Sequence, residues 1–213
     1  MGFEWSTIVG PLVGGVIGFS GALFGEPLRK RIFRPRLELA FGDGPDFRSR
    51  TPEQGVGELP PEGGLPPVIR YQAEYIRVRV RNTTRPIAQK VRAYLTNVER
   101  DQAGSGFQPT VFCDSIPLAW SCQERNSSFD PVDLPHGVSQ FVDVGSTREP
   151  QPVFRLAVKV TPFRYSDLLR EPGRYRLTVQ VSGENVKPEF IRIGLEVRAA
   201  WDDYSVWLAH ADS

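Results

Sequence analysis

The chain reads as an all-β protein, an antiparallel β-sandwich preceded by a single N-terminal transmembrane α-helix. Three observations predict this. An uncharged, largely apolar run of 21 residues, Trp5–Gly25, is the only membrane-length segment among 213 residues. Beyond it, short stretches alternate apolar and polar residues with period two and are separated by turn residues. Finally, 19 prolines and 20 glycines against one methionine favour a loop-rich β protein over a helical one.

The opening segment carries a stripe of small residues, Thr7, Gly10, Gly14, Gly18, Gly21 and Gly25. Their average spacing of 3.6 residues places them in line on a helix, a glycine zipper along which a second helix can approach closely. Leu12, Val16, Phe19 and Leu23 lie about half a turn away and face lipid. Trp5 suits one interface, and Glu26-Pro27 marks the exit from the membrane. The basic cluster Arg29, Lys30, Arg31, Arg34 and Arg36 follows the apolar run, the reverse of a cleaved signal peptide. That order predicts an uncleaved single-pass anchor in a bacterial inner membrane, N-terminus outside and the remainder cytoplasmic. The same cluster sets the topology and lies within reach of lipid headgroups.

Three parts are expected: residues 1–35 as anchor and basic juxtamembrane segment, 36–200 as the sandwich, and 201–213 as a tail. Arg36–Phe41 forms the first strand by its alternation of Leu37, Leu39 and Phe41. Residues 42–67 hold six Gly and six Pro, which reads as a long loop. Tyr75–Arg81 turns Ile76, Val78 and Val80 one way and Arg77, Arg79 and Arg81 the other. Val91–Val98, Thr110–Cys113, Pro117–Trp120, Gln140–Val144, Val153–Val160, Tyr175–Ser182 and Glu189–Arg198 complete the strands. Trp201, Tyr204, Trp207 and Leu208 fit one face of a short helix that docks on the domain. Trp201, Tyr204 and Trp207 are therefore candidates for partner contact, should the tail prove exposed.

Tyr75–Asn82, Val91–Glu99, Pro117–Trp120, Asp133–Gly137 and Gly173–Leu177 are strand, turn and core-aromatic motifs. In combination they resemble uncharacterised bacterial membrane-anchored β-sandwich proteins of immunoglobulin-like type, over residues 68–200. The resemblance implies an immunoglobulin-like sandwich and a membrane location. It transfers no catalytic residue.

Composition narrows the function classes. The net charge is +1, of which residues 1–36 carry +3, leaving the rest at −2. A slightly acidic domain lacks the clustered cations that nucleic-acid binding requires. Cys113 and Cys122 are too few for a disulfide scaffold, and His136 and His210 too scattered for most metal sites. Cys113, His136 and Asp114, Asp130 or Asp133 supply the residue types of a thiol nucleophile, but Cys113 ends an expected strand, where a thiol is buried and inert. Asn82-Thr83-Thr84 and Asn126-Ser127-Ser128 match a glycosylation pattern that is idle on a cytoplasmic protein. The arginine stripe of 77, 79 and 81 reads as a wet strand face opposite cross-strand acids.

No catalytic residue, cofactor or metal is expected. The expected function is a non-enzymatic interaction or sensing module at the membrane, with lipid, a second copy or membrane protein through the helix, and a protein partner for the sandwich. Two other classes compete. One is an oligomerising, bilayer-perturbing effector of bacterial immunity type. The other is an extracytoplasmic adhesion domain.

Overall fold

The strands form where alternation lets one face be buried, and they assemble into two antiparallel sheets. The computed structural model describes residues 34–56, 65–102, 105–121, 123–124 and 127–209. The small-residue stripe Thr7–Gly25, and Arg29, Lys30 and Arg31, lie outside the described residues. Among those described, no helix is long and apolar enough to cross a membrane. In chain order the strands are β1 (Leu37–Ala40), β2 (Arg48–Val56), β3 (Val68–Asn82), β4 (Ala88–Gln102), β5 (Gly106–Pro109), β6 (Ile116–Pro117), β7 (Ala119–Trp120), β8 (Val132–Leu134), β9 (Ser139–Arg148), β10 (Gln151–Leu156), β11 (Gly173–Gly183), β12 (Val186–Val197) and β13 (Tyr204–Leu208).

In the first sheet β1 and β2 flank one side of β3, β9 pairs with the other side, and β10 and β7 pair with β9. The second runs β13-β12-β11-β4-β5, with β6 and β8 also on β4. Ile76, Val78 and Val80 from β3 meet Tyr175, Leu177, Val179, Ile193 and Leu195 in one continuous core. Trp120 and Leu118, both almost fully buried, join it.

One end of the sandwich, here the proximal end, is where the described chain starts. It gathers residues 34–36 and the turns 83–87, 135–138 and 183–185. Two asparagines tie these together. Asn82, fully buried, donates from Nδ2 to the carbonyls of Pro86 (2.7 Å) and Leu134 (2.9 Å) and accepts from the Thr84 amide (3.0 Å). Asn185 donates to the Ile87 carbonyl (2.9 Å) and accepts from the Gln89 amide (2.9 Å). The first glycosylation-like triplet is thus a structural turn, because its amide is fully engaged. At the distal end β3 meets β9 beside Arg148, and β11 meets β12 at Gly173.

Several expectations need correction. The stretch 42–67 contains β2, paired with β3 from Arg48↔Ile76 to Val56↔Val68. Its Pro52 and Gly55 argued against a strand, but β2 lies at a sheet edge, where one side of the backbone needs no partner. The missing side chain of Gly55 makes room for Tyr71, whose ring would lie 2.9 Å from a Cβ there. Thr110–Cys113 is not a strand; β5 precedes it and ends at Pro109, and the Thr110 hydroxyl then donates to the Val98 carbonyl within β4 (2.7 Å). Pro117–Trp120 is split. β6 pairs with β4 and β7 with β9, so the chain crosses between sheets at Leu118.

Residues 204–208 are an edge strand, not helix, and belong to the sandwich. Tyr204 and Val206 point inward with period two, and pairing with β12 decides the conformation. The strand expected to run to Val160 ends at Leu156, and Val160 is exposed.

Candidate functional site

The outer face of the first sheet holds the richest arrangement of polar side chains. Alternation along β3 sends Glu74 inward and Tyr71, Tyr75, Arg77, Arg79 and Arg81 outward. Register then decides their neighbours. Arg77 pairs with Asp143 of β9, and its Nε donates to Oδ1 at 3.0 Å. Ser121, just past β7, donates to the same oxygen at 2.6 Å. Burial pushes the Asp143 carboxyl above its ordinary range, partly offset by Ser121 and Arg77. Arg81 stands opposite Glu38 of β1. Arg79 lies 5.7 Å over the Phe47 ring, and its Nε is buried without a hydrogen-bond partner. Within the stripe, among the described residues, only Arg77 is ion-paired to a cross-strand acid; Arg79 stacks on an aromatic ring, and Arg81 faces Glu38 in register without forming an ion pair.

One turn further along, Glu53 of β2 accepts from the Tyr71 hydroxyl (2.9 Å) and from Tyr75, and Arg148 Nη2 lies 3.4 Å away. Burial, followed by Glu53, pushes the Tyr75 phenol up to about 12. Beside this cluster opens a groove of about 1000 Å3. Tyr75, Asp143, Ser146 and Arg148 line one wall, β10 the middle, and residues 157–170 the other. Its rim carries Arg148, Arg155, Lys159 and Arg170 against Asp143 and Asp167. These cations outnumber the acids, in contrast to the domain as a whole. The Asp143 carboxylate that lines the groove is already engaged, by the Ser121 hydroxyl and by Arg77.

A second network lies between the sheets. Glu74, buried, accepts from Arg48 Nε and Arg50 Nε, both at 3.0 Å. Burial alone would raise its carboxyl, but Arg50, Tyr204 and Arg48 outweigh it and hold it below the ordinary value. Tyr204 of β13 completes the contact across the sandwich, with the Arg48 guanidinium 4.9 Å over its ring. Its hydroxyl is buried beside Glu74, and burial with the nearby Glu74 charge raises its phenol.

The candidate contact residues do not share a face. Tyr204 is internal, Trp201 sits under Arg50 at 5.7 Å, and Trp207 lies flat on Gly194 with Arg174 5.4 Å above it. Arg34 and Arg36 are exposed at the start of β1. Cys113 is exposed in a loop rather than buried in a strand, with Sγ 3.5 Å from the Tyr165 hydroxyl, which donates to Asp114 (2.8 Å). It lies in the loop between β5, which ends at Pro109, and β6, which begins at Ile116. His136 is far from it. Thr110 bonds Val98 whereas Leu134 pairs with Ala88, ten residues back along β4. That is roughly 33 Å, so the thiol–imidazole pair does not assemble. Cys122, Asn126 and His210 lie outside the described residues. Among those described, no three His, Cys, Asp or Glu are placed to hold a metal.

Sequence reasoning missed both carboxylate networks, because each needs β2. The one available signal was the alternation Arg48-Ser49-Arg50, which matches the strand period.

No family model, no curated protein and no solved structure matches this chain.

Proposed function

We propose that the chain is a non-enzymatic, membrane-anchored interaction or sensing module whose immunoglobulin-like sandwich is displayed in the cytoplasm at a bacterial inner membrane. The groove beside β10 carries this reading. It is open and wide enough for a polypeptide segment, and it bears an excess of cations. Its acids are already held, Asp143 by Arg77 and Ser121 and Asp167 by Arg170. Side chains that satisfy one another in this way shape a surface for recognition rather than a poised nucleophile. The uncharged run Trp5–Gly25 and the basic residues after it support attachment to the membrane.

The test is affinity capture by the full chain from detergent-solubilised membranes, beside the Arg155→Glu, Lys159→Glu double variant. A partner retained by the wild type and lost by the variant supports the reading. Capture indifferent to the variant, together with substrate turnover by the purified chain, contradicts it.

A second reading is an oligomerising membrane effector, favoured by the aligned Thr7, Gly10, Gly14, Gly18, Gly21 and Gly25. Gly14→Leu with Gly18→Leu would then lower both oligomeric state and toxicity on expression. If neither changes, this reading is removed.

A further inference from the structure

The proximal end of the sandwich differs from the rest of the domain in charge and in its closeness to the start of the described chain. Residues 34–38, 81–90, 133–139 and 183–187 contain six Lys and Arg against three Asp and Glu. Lys90 is paired with Glu184 (2.5 Å), and its amide donates to Asp133 (2.8 Å), so two of those acids are already occupied. Among the described residues Arg36, Arg81, Arg85 and Lys187 make no ion pair and are exposed. Between them Ile87 and Val138 present apolar surface, 50% and 39% exposed. Hydrogen bonds from Asn82 and Asn185 hold these turns in a fixed array.

Chain length brings this array to one place. Gly25 ends the uncharged run, and nine residues later Arg34 begins the described domain. Nine residues reach at most about 30 Å, whereas β3 alone is roughly 50 Å long. The proximal end is therefore within reach of the bilayer surface, and the distal end extends away from it. Cations interact with an anionic surface only within about a Debye length, near 8–10 Å. An exposed Ile and Val among unpaired arginines match an interface with headgroups outside and acyl chains beneath.

We infer that the proximal end is a lipid-docking surface, with Arg36, Arg81, Arg85 and Lys187 contacting anionic headgroups and Ile87 and Val138 entering the interface. Docking fixes the orientation of the sandwich, so the groove beside β10 is held at the side of an upright domain. The inference rests on the membrane-anchored reading and adds a second, folded contact to it.

The test uses the full chain with Cys113 and Cys122 replaced by Ser and one fluorescent label, at Val138→Cys or at Ala200→Cys in the distal turn. Each protein is reconstituted with vesicles of phosphatidylcholine, alone or with phosphatidylglycerol, carrying a headgroup nitroxide quencher. The docking surface predicts quenching at position 138 that rises with phosphatidylglycerol, and none at position 200. Arg81→Gln and Arg85→Gln lower the docked-to-undocked ratio about fivefold each, as does added salt qualitatively. Equal quenching at both positions, or quenching at 138 indifferent to anionic lipid, overturns the inference. Flotation of the same samples separates the two claims. Co-flotation with both vesicle types but no quenching at 138 leaves the anchor and removes the docking surface. Salt-sensitive co-flotation with anionic vesicles alone removes the anchor and leaves the docking surface, and absence of flotation removes both.

Discussion

Arginines at the two ends of this sandwich are the same side chain in opposite circumstances. At the distal end acids stand against them, on the facing strand for Arg176 and Arg174 and in adjoining turns for Arg100 and Arg198. Arg176 meets Glu99 at 2.6 Å, Arg174 meets Asp101 at 3.3 Å, Arg100 meets Glu171 at 2.6 Å and Arg198 meets Asp203 at 2.9 Å. Aromatic rings add to this, with Phe107 4.7 Å below the Arg176 guanidinium. At the proximal end Arg36, Arg81 and Arg85 project from strand ends and turns without such partners. Charge that is neutralised inside the fold stabilises it, and charge left over is available to a surface outside. The role of each arginine thus follows from the distance to the nearest carboxylate, not from residue type.

The largest expected effect tests the distal end. Arg176 is buried and Glu99 grips it with both carboxylate oxygens, so Glu99→Ala weakens the compensation of a buried charge and costs about 3 kcal/mol in urea unfolding. Next comes Glu74→Gln, which keeps the shape but loses the charge that Arg48 and Arg50 need, at about 2 kcal/mol near neutral pH. The sign of its pH dependence follows from a folded value below the unfolded one. The wild type keeps this stability above about pH 4.3 and loses it as pH falls through the folded value, whereas the variant lacks that acid limb.

Asp143 lies between the extremes, with a folded value raised by burial. Its contribution is present below the unfolded value and lost as pH rises through the folded one. Asp143→Asn removes that loss and stays within about 1 kcal/mol of wild type at neutral pH. Smallest is Arg81→Gln with Arg85→Gln, expected within about 0.5 kcal/mol because the residues are exposed and unpaired. A large loss there would break the comparison.

Much of the framework is legible in the sequence, because β11 and β12 are central strands with one inward face. Tyr175, Leu177, Val179 and Val181, and Ile191, Ile193, Leu195 and Val197, alternate cleanly and are all buried. The edges are not legible. β2 is held by Arg48, Arg50 and Glu53 reaching residues of β3, while its own Gly and Pro content argues for a loop. In β13 the spacing of Trp201, Tyr204 and Trp207 fits a helical face, yet hydrogen bonding to β12 selects a strand and sends Tyr204 and Trp207 to opposite sides. The groove is also invisible locally, since Tyr75, Asp143 and Lys159 come from separate segments that only the fold unites.

Where the first two dozen residues reside decides whether the domain is held at a membrane. The direct measurement is alkaline carbonate extraction of bacterial membranes containing the full chain, followed by mass determination of the recovered protein. The account predicts an intact polypeptide, starting at its own N-terminus, in the membrane pellet. Release into the supernatant, or a mature chain beginning after Phe24, would contradict it.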